Sequence, residues 1–353
     1  MSTISCILFV FVAATAAKSE GQESGFLKRL GFPQTKPAAR SHYSNKIGRM
    51  GDRDEGFEPA FRLRSPLTRA MYNRINNDER HRESNHTFWY KVNKASLSEE
   101  LCLKFHQSHQ DEGTTKFLEN CFEKSDWLFT QIWQSLVKSV LTWFMTVTSV
   151  NGYLGRGSMF VFSKQQFNTL MKIGPDWTAD NLLDLGAGDG VVTENFAGHF
   201  KNVYTTEVSQ PMVDRLKSRG YEVLGIEEWN ENSVAYDVIT CLNVLDRCDH
   251  PVTMLMDMLR VLKPDGRIII AVVLPFSPYV EKGSNGNKPS ENLPISGNTF
   301  EEQASSIVRD VFQPAGLELV SFTRLPYLCE GDINHSFYIL NDAVFVLKPL
   351  FGS

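Results

Sequence analysis

Long hydrophobic runs, paired cysteines and clustered basic residues are all scarce in this 353-residue chain. No apolar run reaches the roughly 20 residues of a bilayer-spanning helix, which excludes a polytopic membrane protein. Its six cysteines (Cys6, Cys102, Cys121, Cys241, Cys248 and Cys329) include no C-x-x-C pair. Neither a disulfide framework nor a zinc site is therefore indicated, and Cys241, inside an apolar run, reads as a core residue. The eight histidines show no metal-ligand spacing, and internal repeats are not apparent. Basic residues are outnumbered 36 to 41 and unevenly spread: residues 18–86 carry a balance of +5 and the remainder −10. An acidic body lacks the clustered Lys and Arg that phosphate contacts need, so nucleic acid is not an expected partner; a neutral or cationic substrate suits it better. What is present, 42% apolar and 22% charged residues, is globular composition. The length fits about two domains, or one large domain with an extension.

Residues 4–17 are uncharged and largely apolar, and Ala14-Thr15-Ala16 gives an A-x-A-like cleavage pattern. Residues 1–17 thus read as a secretory signal peptide, although no Lys or Arg precedes the apolar run. A short uncleaved anchor and a mitochondrial presequence are the alternatives. The expected location is the endoplasmic reticulum, with the mitochondrion as second choice. Asn85-His86-Thr87 is a glycosylation sequon, usable only on the secretory route. Residues 18–86, rich in Gly, Pro, Ser, Asn and Arg, read as a basic, largely flexible arm. Residues 87–150 read as a helical segment. From Lys116 onward Phe117, Leu118, Cys121, Phe122, Leu128, Ile132, Leu136, Val140 and Phe144 recur at three- and four-residue spacing. That is the mark of one long amphipathic helix or a broken pair, its aromatic stripe packing on the next domain or facing a membrane.

After the glycine-punctuated link Asn151-Gly152-Tyr153-Leu154-Gly155-Arg156-Gly157-Ser158, strand and helix patterns alternate over residues 151–353. Strands are expected at 181–185, 202–206, 222–225, 236–242 and 267–274, with helices at 191–200, 211–219 and 251–262. Such alternation means parallel strands with crossover helices, an α/β doubly wound sheet. Two consecutive strand patterns, 317–324 and 337–347, have no helix between them and predict an antiparallel pair at one edge.

Leu182-Leu183-Asp184-Leu185-Gly186-Ala187-Gly188-Asp189-Gly190 is the most informative stretch. A buried strand turns through glycines into a helix, so a ligand can lie against the backbone. Glu207, at the end of the next strand, is placed to accept the hydroxyls of an adenosine ribose. A dinucleotide pyrophosphate would be repelled by Asp184 and Asp189. S-adenosylmethionine, which carries an ammonium and a sulfonium instead, tolerates them.

Several strings resemble one family closely. They are Arg64-Ser65-Pro66-Leu67-Thr68-Arg69, the run from Leu154-Gly155-Arg156-Gly157-Ser158 to Phe162-Ser163, and the glycine motif. Leu245-Asp246-Arg247-Cys248-Asp249, Leu325-Pro326-Tyr327-Leu328-Cys329-Glu330-Gly331-Asp332 and Asp342-Ala343-Val344-Phe345-Val346-Leu347-Lys348-Pro349 follow. The chain resembles the DREV family of protein-histidine N-pros-methyltransferases (methyltransferase-like protein 9), most closely over residues 151–349. The resemblance implies a class I seven-stranded, Rossmann-like methyltransferase fold with S-adenosylmethionine as donor and S-adenosylhomocysteine as product. It implies as acceptor the Nδ1 (pros) nitrogen of a histidine in a His-x-His sequence of a protein or peptide, x being small. It further implies that Glu207 holds the ribose, Asn243 lies beside the donor, Tyr327 closes the pocket and Asp246 faces the substrate imidazole. With these stand Asp184, Gly186, Gly188, Asp189 and Arg156 as cofactor-binding candidates.

Each candidate has a second reading. Asp246 and Asp249 could cap the helix after Pro251, and Asn243 could be a strand-end turn residue. Tyr327 could be packing, Arg156 the partner of an acid rather than of the donor's carboxylate, and Asp189 a helix-start residue. The motifs also admit a methyltransferase for a small imidazole or amine, or a non-catalytic S-adenosylmethionine-binding module.

Overall fold

The computed structural model describes residues 66–350 except 128, 129, 132, 135, 136, 139–146, 156, 232 and 281–286. The signal-peptide segment, most of the basic arm, Cys6 and Arg156 lie outside the described residues, as do Leu128, Ile132, Leu136, Val140 and Phe144. Helices α1 (Pro66–Glu83), α2 (Glu99–Lys104), α3 (Glu112–Asp126) and α4 (Val147–Leu154) come first. Next are β1 (Met159–Phe160), α5 (Lys164–Met171), β2 (Ala179–Leu185), α6 (Val191–Ala197), β3 (Phe200–Thr206), α7 (Gln210–Ser218) and β4 (Glu222–Leu224). The chain continues through β5 (Tyr236–Leu242), α8 (Pro251–Val261), β6 (Leu262–Val273) and α9 (Phe300–Ser306), which runs into a π-helical turn, Ile307–Phe312. It ends with β7 (Leu317–Glu330) and β8 (Phe337–Pro349).

These strands form one sheet in the order β1-β7-β8-β6-β5-β2-β3-β4. Strands β2 to β6 pair in parallel, whereas β8 runs antiparallel to β6, and β7 to β8. Strands β2 to β8 are the class I methyltransferase sheet expected from the sequence. The two-residue β1, added antiparallel along β7, was too short for a periodicity to mark.

Both faces of the sheet are buried, and the alternation of side chains explains the near-continuous apolar runs of its strands. Leu183, Leu185, Ile268, Ile270, Val272, Ala343, Phe345 and Leu347 pack on one face. There they meet Leu255 and Met258 of α8 and Ala304, Ile307 and Phe312 from α9 and its turn. Leu182, Ile269, Ala271, Val344 and Val346 point the other way, against Leu118, Cys121 and Phe122 of α3, Phe167 and Leu170 of α5 and Phe196 of α6. The described part of the aromatic stripe on α3 is thus turned onto the sheet.

Two boundaries differ from expectation. The arm expected to stay flexible through residue 86 ends earlier, because Pro66–Glu83 is helical. This helix has no apolar stripe for a periodicity to find, and tertiary contacts hold it. Arg74 is buried, Ser336 Oγ donates to Asp78 at 2.6 Å, and Arg82 lies 4.6 Å over the Phe122 ring. Of the two forms expected from Lys116, one long helix or a broken pair, the break is found: it falls at Trp127, whose backbone leaves the helical region (φ −81°, ψ 68°). Strand β7 continues six residues past its expected end, through Pro326. A proline argues against a strand interior, but its tolerance at an edge fits here: the outward partners of β7 sit only at Phe322 and at residues 328–329.

Phe345 is fully buried, with ring centroids 5.1 Å from Phe322 and 5.2 Å from Phe312. Phe345→Ala is expected to cost about 3–5 kcal/mol of stability. Urea titration checks this, and a cost under about 1 kcal/mol would mean the layer is not central.

Candidate active site

The glycine loop leaves β2 at its carboxyl end and is tied to the neighbouring β3. Gly186 N–H donates to Thr206 Oγ1 at 3.1 Å and Ala187 N–H to the Thr206 carbonyl at 3.0 Å. Gly186 has φ +68°, and a Cβ there would come within 2.7 Å of Val244 Cγ2, so the loop can lie against the β5 edge only as glycine. Gly188 differs: at φ +59° its missing Cβ faces open space, leaving its backbone accessible. The carboxylate of Glu207 follows β3 directly. Its Oε2 accepts from Gly188 N–H at 3.0 Å, and its Oε1 from the amides of Val208 and Ser209 at 2.8 Å. Three of about four lone-pair positions are used, which leaves one on Oε2 beside the open glycine.

Asp184 and Asp189, two of the cofactor-binding candidates, both have partners within the protein. Asp184 is buried with both oxygens engaged, accepting at 2.6 Å from Thr193 Oγ1 of α6 and at 2.6 Å from Thr240 Oγ1 of β5. Burial pushes its carboxyl up to about 6. This acid joins two strands and a helix under the loop. Asp189 holds the start of α6, accepting from Val191 N–H at 3.1 Å, and also accepts from Ser158 Oγ at 3.0 Å. Its helix-start reading is the one the contacts support.

A buried polar cluster lies at the end of β5. Asn243 has a left-handed backbone (φ 59°), which asparagine tolerates better than most residues. Its N–H donates to the Ala271 carbonyl at 2.9 Å and its Nδ2 to Asp342 Oδ2 at 2.8 Å. Asp246, 5% exposed, has Oδ2 3.3 Å from Arg247 Nε. Burial raises its carboxyl from the usual range, against the pull of Arg247. Asn243 Oδ1, Asp246 Oδ1 and Asp342 Oδ1 are all buried acceptors with no hydrogen-bond partner. Such groups are costly unless something donates to them. The capping reading of Asp246 and Asp249 does not hold. Asp249 accepts from Ser290, and the first turn of α8 is served by Glu291, whose Oε2 accepts from Thr253 N–H at 2.8 Å.

Tyr327 lies on β7, opposite Leu340 of β8. It is 8% exposed and its hydroxyl donates to Met159 Sδ. The adjoining Ser158 carbonyl accepts from Glu330 N–H at 2.8 Å, and its hydroxyl holds Asp189. The link before β1 therefore connects the Tyr327 side of the sheet to the glycine loop. Sequence reasoning missed Asp342 as a member of the site. The signal was an acid inside an otherwise apolar strand, at a position of 0% exposure.

This arrangement offers a ligand mostly acceptors: Glu207 Oε2, then the three unpartnered oxygens, with open backbone at Gly188. It fits S-adenosylmethionine, which presents an ammonium and two ribose hydroxyls, and would repel a pyrophosphate. Asp184→Ala is expected to lose about 2–4 kcal/mol of stability, by stranding two buried hydroxyls. Asp184→Asn, able to accept one hydroxyl and donate to the other, recovers most of it. Thermal unfolding decides: equal losses in both variants would mean the charge itself is required.

Comparison with known proteins agrees with this chemistry. The ubiquinone biosynthesis O-methyltransferase of Coxiella burnetii is 25% identical over 101 residues, 26% of this chain and 43% of the relative. The mitochondrial ubiquinone biosynthesis O-methyltransferase of Schizosaccharomyces pombe is 23% identical over 107 residues, 28% of this chain and 39% of the relative. The chain thus spans less than half the length of these curated relatives. Among solved structures, the N-methyltransferase NodS from Bradyrhizobium japonicum WM9, in complex with S-adenosyl-L-homocysteine, is 15% identical. It covers 52% of this chain and 84% of NodS, with a TM-score of 0.33. The YcgJ protein from Bacillus subtilis is 13% identical, covers 53% of this chain and 99% of YcgJ, and has a TM-score of 0.36. The family model described as DREV methyltransferase matches residues 89–349, which takes in the whole sheet and the helices packed on it. With most of its length inside that match, the chain belongs to the DREV methyltransferase family, and its cofactor is S-adenosylmethionine.

Proposed function

We propose that this chain methylates Nδ1 of a histidine in a His-x-His sequence of a protein or peptide, with x a small residue. The observation that carries the reading is Asp246: a buried carboxyl at the end of β5, one oxygen beside Arg247 and the other without a partner. A substrate imidazole offers what that oxygen lacks, an N–H donor.

When bound, S-adenosylmethionine supplies an electrophilic methyl group on a sulfonium. Glu207 Oε2 would accept from the ribose, Gly188 would let the ligand lie on the backbone, and Asn243 Oδ1 would accept a donor N–H. Tyr327 would close the pocket from the β7 side. The acceptor histidine must be neutral, which its ordinary value near 6.5 allows at physiological pH. Asp246 Oδ1, accepting Nε2–H, selects the tautomer whose lone pair is on Nδ1. The same carboxylate then offsets the positive charge that develops on the ring, an orienting role aspartate plays toward histidine in other enzymes. The proton left on Nε2 after transfer can pass to Asp246 or to water. Holding the imidazole in line with the methyl group supplies most of the acceleration.

The proposed setting is the secretory pathway, with the mitochondrion as alternative. Residues 4–17 read as a signal segment, and Asn85 and Thr87 of the sequon are exposed. Among the described residues no helix is long and apolar enough to cross a membrane.

Incubating the protein with S-adenosylmethionine and a His-Ala-His peptide should give one pros-methylhistidine, located by fragmentation mass spectrometry. Donor binding without a methylated peptide would shift the reading to a small imidazole or amine acceptor, or to a non-catalytic module. Asp246→Asn is expected to lower turnover by about 10²–10⁴-fold with donor binding retained. Asp246 must be ionised to accept Nε2–H, and burial raises its carboxyl. Turnover should therefore fall as pH drops and the acid and the substrate imidazole both protonate. A rate that is flat on acidification would remove Asp246 from this role.

A further inference from the structure

Asp342 is the one member of the polar cluster whose place in the fold is unfavourable on its own terms. It lies within β8, opposite Val273 of β6 and Leu325 of β7, and is 0% exposed. The next residues of the strand, Ala343 and Val344, are fully buried core. An apolar side chain there would avoid the cost of burying a carboxyl. Burial, and after it the nearby Asp246, push its carboxyl well above the usual range. Its hydrogen bond is to Asn243: Nδ2 donates to Oδ2 at 2.8 Å.

That bond has a consequence for the amide. A carboxamide has a donor end and an acceptor end of nearly equal size, and packing alone scarcely distinguishes them. Once Nδ2 is committed to Asp342, Oδ1 is the end left over, and Oδ1 is the atom without a partner. The Asn243 backbone is fixed independently by its φ of 59° and by its N–H bond to Ala271. With the backbone fixed, the side-chain torsions remain, and the bond to Asp342 sets which end of the amide points where.

We propose that Asp342 is a positioning residue for the methyl-donor site: by accepting from Asn243 Nδ2 it commits Asn243 Oδ1 to act as the acceptor at the β5 edge. The inference rests on the reading of Asn243 as a donor contact. Asp342 Oδ2 is the accepting atom, and Oδ1 takes no part in the bond. Asparagine at 342 would reproduce this pattern, and leucine would abolish it at similar volume.

The test is calorimetric titration of the purified protein with S-adenosylhomocysteine, together with thermal unfolding of each ligand-free variant. Asp342→Asn should bind within about threefold of the native protein. Asp342→Leu should bind at least about tenfold more weakly while unfolding at a midpoint no lower, because the apolar side chain suits the buried position. Asn243→Ala should weaken binding by a similar factor. Asp342→Leu combined with Asn243→Ala should be no weaker than either alone, since both remove one oriented acceptor. Native affinity in Asp342→Leu, or losses that multiply in the double variant, would overturn the proposal. Unchanged affinity in Asn243→Ala would overturn the donor-contact reading beneath it, and the two failures are read from different variants.

Discussion

Two threonine hydroxyls at 2.6 Å hold the carboxyl of Asp184 under the glycine loop, and the geometry of everything above depends on that clamp. Thr240 belongs to β5 and Thr193 to α6, so one acid fixes β2, its neighbour strand and the helix that follows the loop. With β2 and β5 fixed, Gly186 can lie against Val244 of the β5 edge. Burial raises the Asp184 carboxyl from 3.8 to about 6 in the folded state. Its contribution to stability is therefore full below about 3.8 and is lost as pH rises through about 6. Above that pH the charge is retained at a cost that the two short hydrogen bonds offset in part.

Much of the fold was legible because burial on both faces leaves a simple trace. Strands β2, β5 and β6 are apolar runs bounded by turn residues, and the crossover helices α7 and α8 each begin with a proline in their first turn. What was illegible was held by distant contacts. Helix α1 carries no apolar period and is fixed through Asp78, Arg74 and Arg82, each meeting residues far along the chain or buried beneath it. The two residues of β1 are strand only because β7 lies beside them.

The site was legible in part for the same reason. Gly186, Gly188 and Glu207 follow from the order strand, turn, helix, strand. Asp184 was assigned to the cofactor from spacing alone, yet strand alternation contained the correction. Leu183 and Leu185 face one core, so Asp184 shares the opposite face with Leu182, the face that α6 covers. Asp342 went unassigned because a strand interior is where packing is expected. Its misfit with that surrounding was the clue.

Two buried acids, Asp246 and Asp342, stand in one cluster, and their surroundings divide the charge between them. Each raises the other's cost of ionisation, since like charges in a poorly solvated site push apart. Arg247 stands beside Asp246 at 3.3 Å, whereas Asp342 has only the Asn243 amide. These surroundings favour a charge on Asp246 over one on Asp342. In the proposed reaction a neutral imidazole accepts a methyl group from a sulfonium, so a positive charge moves from sulfur to the ring and none is created. A single fixed anion beside the ring follows that movement and favours its end point. A second anion at Asp342 would instead bind the cationic donor in its ground state, which lowers its concentration requirement without lowering the barrier. Using Asp342 to orient Asn243, with Arg247 beside Asp246, favours the charge where the transfer needs it.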